Sequence, residues 1–144
     1  MVMENVKDEE HYQNISIAAP YLELIEEMSG LEFLQFHGGF KPFADNMNAV
    51  EVLERVQMSH AANKQIRYYS SGMKQRLKLA QCMLSQSPFL LLDEPCTNLD
   101  ETGIALYHSL VEEYGQKRCV IVSSNDKVEY SFCENKIDIL VYKR

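Results

Sequence analysis

Residues 88–94 read Pro88-Phe89-Leu90-Leu91-Leu92-Asp93-Glu94. An apolar run this short, entered through a proline and left through two acids, suits a strand covered on both faces, as in a parallel sheet; a half-exposed strand would alternate. The stretch before it reads as a helix beginning at Ser71, with Met73, Leu77, Ala80 and Leu84 on one stripe and Lys74, Arg76, Lys78 and Gln81 on another face. The stretch after it reads as a helix over 101–114, with Ile104, Tyr107, Val111 and Tyr114 on one side and Gly115 as its stop signal. Cys119-Val120-Ile121-Val122 then reads as a second buried strand. Strand alternating with helix is the α/β pattern.

Further out, Ile15-Ser16-Ile17 alternates like a short strand and stops before Pro20. Ser29-Gly30-Leu31-Glu32 has the form of a capping box, so a helix should start near Ser29 and run to His37, where Gly38-Gly39 ends it. Pro42 marks a loop, and the next helix reads from Asn46 to His60 on the spacing of Ala49, Val52, Leu53 and Val56. A short helix is expected over 127–133, and Ile137 to Tyr142 alternates as a last strand near an edge. The first dozen residues are polar and expected to be loosely held. There is no internal repeat, low-complexity segment or sustained heptad.

Composition bounds the function. The 144 residues carry 14 Lys+Arg against 21 Asp+Glu, a formal charge of −7, which argues against nucleic acid or an anionic membrane surface as the main partner. The length suits one domain. No apolar run approaches the roughly 18 residues of a membrane span, and the charged opening residues do not form a signal peptide, so a cytosolic location is expected. Cys82, Cys96, Cys119 and Cys133 have no C-x-x-C spacing and read as reduced, mostly buried thiols; His11, His37, His60 and His108 are equally scattered. Asn14-Ile15-Ser16 matches a glycosylation acceptor only by chance if the chain stays in the cytosol.

The chemical signals cluster between residues 69 and 100. Asp93-Glu94 stands at the exit of the central apolar strand, where open α/β sheets place their ligand sites. The first carboxylate suits Mg²⁺, and the second, facing the other way along the strand, could polarise a water for attack on a phosphate. Alone, an acidic pair after an apolar run is common in loops. Here Tyr69-Ser70-Ser71-Gly72-Met73-Lys74-Gln75-Arg76 precedes it by one helix and Thr97-Asn98-Leu99-Asp100 follows it. The former puts hydroxyls, a glycine and free N–H groups at a helix N-terminus, a ready anion site as well as an ordinary N-cap.

In this order and spacing, Tyr69 to Asp100 resembles the signature, Walker B and D-loop block of an ABC-type ATPase, the ATP-binding subunit of an ABC transporter. The family signature begins Leu-Ser-Gly-Gly-Gln; Tyr69, Ser70, Ser71, Gly72 and Met73 stand in those places. The resemblance implies that Ser70 and Gly72, with Ser71 and Met73 beside them, face the γ-phosphate of ATP held by a second subunit. It makes Asp93 the Mg²⁺ carboxylate, Glu94 the catalytic base, and Asp100 the aspartate coupling the two sites of a head-to-tail homo- or heterodimer. More loosely, Pro20 to Leu34 resembles the segment from the Q-loop into a helical subdomain that extends over about 29–70 and faces the membrane permease. Residues 71–144 would then be the signature helix and Walker B core. The fold implied is a partial P-loop NTPase, with a parallel sheet and a helical subdomain, on the cytosolic face of the membrane.

The departures are specific. Ser71 replaces a signature glycine and Met73 the signature glutamine. Ala19-Pro20 stands where the Q-loop glutamine belongs, with Gln13 and Gln35 as distant alternatives, and Asn125 stands where the family has its switch histidine. Asn can donate a hydrogen bond but cannot carry charge or shuttle a proton, so slower hydrolysis is expected. A P-loop needs G-x-x-x-x-G-K-[ST], whereas the glycines lie at 30, 38, 39, 72, 103 and 115, no pair so spaced. Gly38-Gly39-Phe40-Lys41 is followed by Pro42 and reads as a turn. The chain therefore resembles the C-terminal portion of such a subunit, without the N-terminal strands and P-loop, and the absent strand is expected beside Ile15–Ile17 and Phe89–Asp93. A non-hydrolytic subunit lending its signature helix to a competent partner is the second reading. A DNA-repair or chromosome-maintenance ATPase is a distant third, for want of coiled coils and a basic surface.

Overall fold

The computed structural model describes residues 8–143. Its centre is a three-stranded parallel sheet in the order β1 (Ile15–Ala18), β2 (Phe89–Asp93), β3 (Cys119–Ser123). In register, Ser16 pairs with Leu90 and Leu90 with Val120, while Ala18 pairs with Leu92 and Leu92 with Val122. Paired residues of parallel strands share a face. The face carrying Ser16, Ala18, Leu90 and Leu92 is buried; on the other, Ile17 and Ile121 are exposed.

The covering layer is helical. α1 (Gly30–Phe40) and α2 (Ala49–Arg55) pack on each other, and both touch α3 (Ser71–Met83), which lies against β1 and α4 (Glu101–Tyr114). One continuous core joins Leu34, Leu53, Leu77, Leu79, Leu90, Leu92, Tyr107 and Leu110. α5 (Lys127–Tyr130) follows β3. Arg118 closes α3 by donating to the carbonyls of Met83, at 2.6 Å, and Ser85, filling acceptors that a helix end leaves open.

β2, α4 and the start of α3 match the sequence reading, and the capping box of α1 is present: Glu32 N–H donates to Ser29 Oγ at 3.1 Å and Ser29 N–H to Glu32 Oε2 at 2.8 Å. Five expectations are corrected. α1 runs through Gly38-Gly39 to Phe40, because glycine lowers helix propensity without forbidding it and Gly38 lies against the Phe43 ring. α2 is shorter than expected, ending at Arg55, with Gln57 in a left-handed conformation. β2 and β3 are covered on one face only, since the helices among the described residues lie on the Leu90–Leu92 side. Ile137 to Tyr142 forms no strand: Ile139–Tyr142 is a 3₁₀ turn with its apolar side chains exposed and, among the described residues, no strand beside it. Finally, β1 and β3 both pair directly with β2, so no further strand fits beside β2; the unpaired edges are those of β1 and β3, of which β3 is the more exposed.

Of the thiols, Cys82 is buried, Cys96 and Cys133 half-buried and Cys119 exposed, and all four are free. Residues 1–7 of the segment expected to be loosely held lie outside the described residues; Asp8–Gln13 forms a 3₁₀ helix touching β1. No helix among the described residues is long and apolar enough to cross a membrane.

Candidate functional site

Three parallel strands deliver their C-terminal ends to one edge of the sheet. Asp93, half-buried, is the last residue of β2 and pairs with Ser123, the last of β3. Glu94 lies just beyond. Its N–H donates to Ser123 O at 2.9 Å, extending the ladder by one bond, and its backbone is left-handed at φ 44°. Strand alternation therefore does not set the direction of the Glu94 side chain, contrary to the sequence reading; a tight turn does. Held conformations of this kind in non-glycine residues cost of order 1–3 kcal/mol and persist where the surroundings impose them. Asn98, at φ 65°, is a second such residue in the same loop.

The start of α3 is built against that loop. Ser70 is the N-cap, its Oγ accepting from Met73 N–H at 3.2 Å. Ser71 and Gly72, the first two helical residues, have no acceptor for their N–H groups among the described residues. A Cβ on Gly72 would lie 3.1 Å from Asn98 O, so the bare backbone allows the helix to approach the loop. One turn further, Gln75 Nε2 donates to Pro95 O at 2.7 Å, with only 3% of the residue exposed. Arg76 donates to Thr102 Oγ1 at 3.1 Å and to Gln57 Oε1 at 3.1 Å, and stands 3.7 Å from Asp100 Oδ1.

Asp100 caps α4 by accepting from Gly103 N–H at 2.8 Å and Thr102 Oγ1–H at 2.9 Å. These bonds, the Gly103 amide first, hold its carboxyl below the usual carboxylate range. Ala19 is fully buried after β1, and Pro20 O accepts from Lys78 Nζ at 3.0 Å. Burial lowers the Lys78 ammonium, and nearby Lys74 lowers it further. Lys74 is itself paired with Glu26. Asn125 is exposed in the loop after β3.

The structure thus brings Ser70, Ser71, Gly72 and Met73 at one helix start to the loop that carries Glu94 and Asp100, and sets Asp93 and Asn125 at adjacent strand ends. Gln13 and Gln35 lie elsewhere, the first in the N-terminal 3₁₀ helix and the second on α1. Two residues were given no role from sequence. Gln75 falls in line with Leu79 and Cys82 at i, i+4 and i+7, and a polar side chain on a buried stripe signals a fixed partner. Glu129, in α5, is only 5% exposed and bridges the loops after β2 and β3; nothing local in its sequence marks it.

Among the described residues no group of three or more His, Cys, Asp or Glu side chains could hold a metal alone. Asp93, a strand-end carboxylate paired in register with Ser123, is a suitable hard-oxygen set for Mg²⁺ bound together with substrate phosphate.

Comparisons with known proteins agree on one family. A family model for ABC transporters matches residues 2–97. YxlF, an uncharacterized ABC transporter ATP-binding protein of Bacillus subtilis (strain 168), is 40% identical over 101 residues, covering 68% of this chain and 34% of YxlF. The cytochrome c biogenesis ATP-binding export protein CcmA of Haemophilus influenzae is 27% identical over 137 residues, 94% of this chain and 64% of CcmA. The dimeric post-hydrolysis structure of the ATP-binding cassette MJ0796, bound to ADP and Pi, superposes with a TM-score of 0.66 at 23% identity, over 87% of this chain and 60% of that one. The chain spans between about a third and two thirds of the length of these relatives.

Proposed function

The chain belongs to the ABC transporter family of ATP-binding proteins and has a partial P-loop NTPase fold, and we propose from this that it contributes the signature and Walker B half of an ATP-hydrolysing transporter subunit. The observation that carries the proposal is the join between the start of α3 and the loop after β2, made by the Gly72–Asn98 approach and the Gln75–Pro95 bond. It holds the phosphate-facing helix end and the strand-end carboxylates as one rigid edge. On this reading the site is composite. Ser70, whose Oγ lone pair is used by Met73 N–H, keeps its own O–H free to donate to a phosphate oxygen, and the Ser71 and Gly72 amides point at the same charge.

Bound MgATP would supply the phosphoanhydride to be cleaved and a cation that offsets phosphate charge. Asp93 would hold the cation through its carboxylate oxygens or their waters. Glu94 would accept a proton from the attacking water at a carboxylate oxygen. Asn125 would donate an Nδ2–H bond to a phosphate oxygen and pass no proton. Asp100 would couple the two sites, and residues 29–70, as the helical subdomain, would face the permease at the cytosolic side of the membrane. The remaining 71–144 would form the core.

Because no glycine spacing makes a P-loop, the chain alone is proposed to bind ATP weakly or not at all. The purified chain is expected to show no ATPase above background. Turnover that Glu94→Gln abolishes would overturn this. A second reading, a non-hydrolytic subunit lending its signature helix to a competent partner, is favoured by Asn125 and by Ala19-Pro20 in place of a glutamine. Both readings require ATP-dependent co-sedimentation with a full-length ATP-binding subunit that carries a P-loop. They part once this chain is joined to a P-loop half: Glu94→Gln should then abolish hydrolysis at its own site under the first, whereas under the second there is none to abolish.

A further inference from the structure

Glu129 makes contacts that the composite site, as described, does not use. Its side chain is buried, with both oxygens occupied: Oε1 accepts from Cys96 N–H at 2.7 Å and Oε2 from the Ser124 hydroxyl. Cys96 lies two residues beyond Glu94, and Ser124 is the neighbour of Asn125. The Ser124 oxygen accepts in turn from Asp126 N–H at 2.9 Å, closing the turn that carries Asn125. The main chain of Glu129 is fixed independently, its N–H donating to Asp126 O at 3.0 Å and its carbonyl accepting from the buried Tyr107 hydroxyl of α4 at 2.7 Å. A carboxylate anchored to α4 thus reaches one oxygen into each of two catalytic loops. Apart from this carboxylate, the ladder bond from Glu94 N–H to Ser123 O is the link between these loops that the hydrogen bonds of the described residues provide.

We infer that Glu129 is a positioning residue, a clamp that sets the Glu94 loop and the Asn125 loop at a fixed separation so that base and phosphate donor act on one substrate. The assignment of those two roles rests on the function proposed above; the clamp itself does not. Charge-assisted bonds of this kind are the stronger ones, and two neutral donors on one carboxylate make each loop's order depend on the other's. An ordinary buried carboxylate would stabilise the fold without linking the loops to each other.

The link is tested by changing one loop and reading the other. Amide hydrogen exchange is measured on the full chain without nucleotide, for wild type, Ser124→Ala, Ser124→Thr and Glu129→Gln. Ser124→Ala leaves the Cys96–Glu129 bond chemically intact, yet the Cys96 amide is expected to exchange about tenfold faster, because the carboxylate has lost its second anchor. Ser124→Thr restores the hydroxyl and should restore protection, while the β2 amides stay as in wild type throughout. Glu129→Gln, which puts an N–H₂ where one acceptor stood, should loosen both loops. Cys96 exchange unchanged in Ser124→Ala, with the fold intact, overturns the clamp. If Glu129→Gln does not fold, the Ser124→Ala and Ser124→Thr pair decides. No step of this needs ATP, so a failed clamp is separable from a failed ATPase reading.

Discussion

At the scale of single residues, the candidate site is held by polar groups with buried partners. Gln75 is the clearest: its amide is enclosed and spends a hydrogen bond on the carbonyl of Pro95, itself buried. A buried carbonyl left without a donor costs about 1–3 kcal/mol. Gln75→Leu, similar in volume, is therefore expected to lower stability by that amount, read as a lower urea midpoint at unchanged slope. Stability equal to wild type would mean that the bond does not fasten α3 to the loop. Burial also pushes the Cys96 thiol up to about 12, with Glu129 and Asp126 adding to the shift, so Cys96 is a poor nucleophile and serves through its main chain.

At the scale of elements, helix starts are where sequence and packing meet. Ser29 caps α1 as its motif requires, but the next residue is glycine for a reason outside the helix. A Cβ on Gly30 would stand 2.2 Å from the Tyr69 hydroxyl, which donates to Ala61 O at 2.7 Å. Tyr69, which precedes the α3 cap, thus packs against the entrance of α1. Gly30→Ala should cost about 2 kcal/mol or more in chemical denaturation, despite the better helix propensity of alanine, because the ring must move and lose its bond. In a Tyr69→Phe background the obstructing oxygen is gone, and the double variant should lose markedly less than the sum of the single changes. Additive losses would show that the clash is not the cause.

At the scale of the molecule, the sheet has one covered face and two unpaired edge strands, of which β3 is the more exposed. Ile121 is 54% exposed on β3, and Ile137, Ile139, Leu140, Val141 and Tyr142 are each more than two thirds exposed. An unpaired parallel edge with apolar side chains templates association. The isolated chain is expected to form concentration-dependent oligomers in light scattering, and Ile121→Lys to shift it towards monomer. A clean monomer at all concentrations would contradict this. In the relatives, which are longer than the chain, further polypeptide is available to cover such an edge.

The sequence by itself determined the α/β order, the bounds of β2 and α4, the capping box at Ser29, an N-cap at the start of α3, and the motif block from Tyr69 to Asp100. These follow from local chemistry: side-chain period, capping geometry and residues close along the chain. Strand order, the exposed face of β3, the left-handed turn at Glu94 and the reach of Glu129 into two loops were decided only by tertiary structure. Each joins groups distant in sequence, as Glu129 meets Cys96 across 33 positions. The segment from Ile137 to Tyr142 failed as a strand for the same reason, since alternation supplies a strand's side chains but only a neighbour supplies its hydrogen bonds.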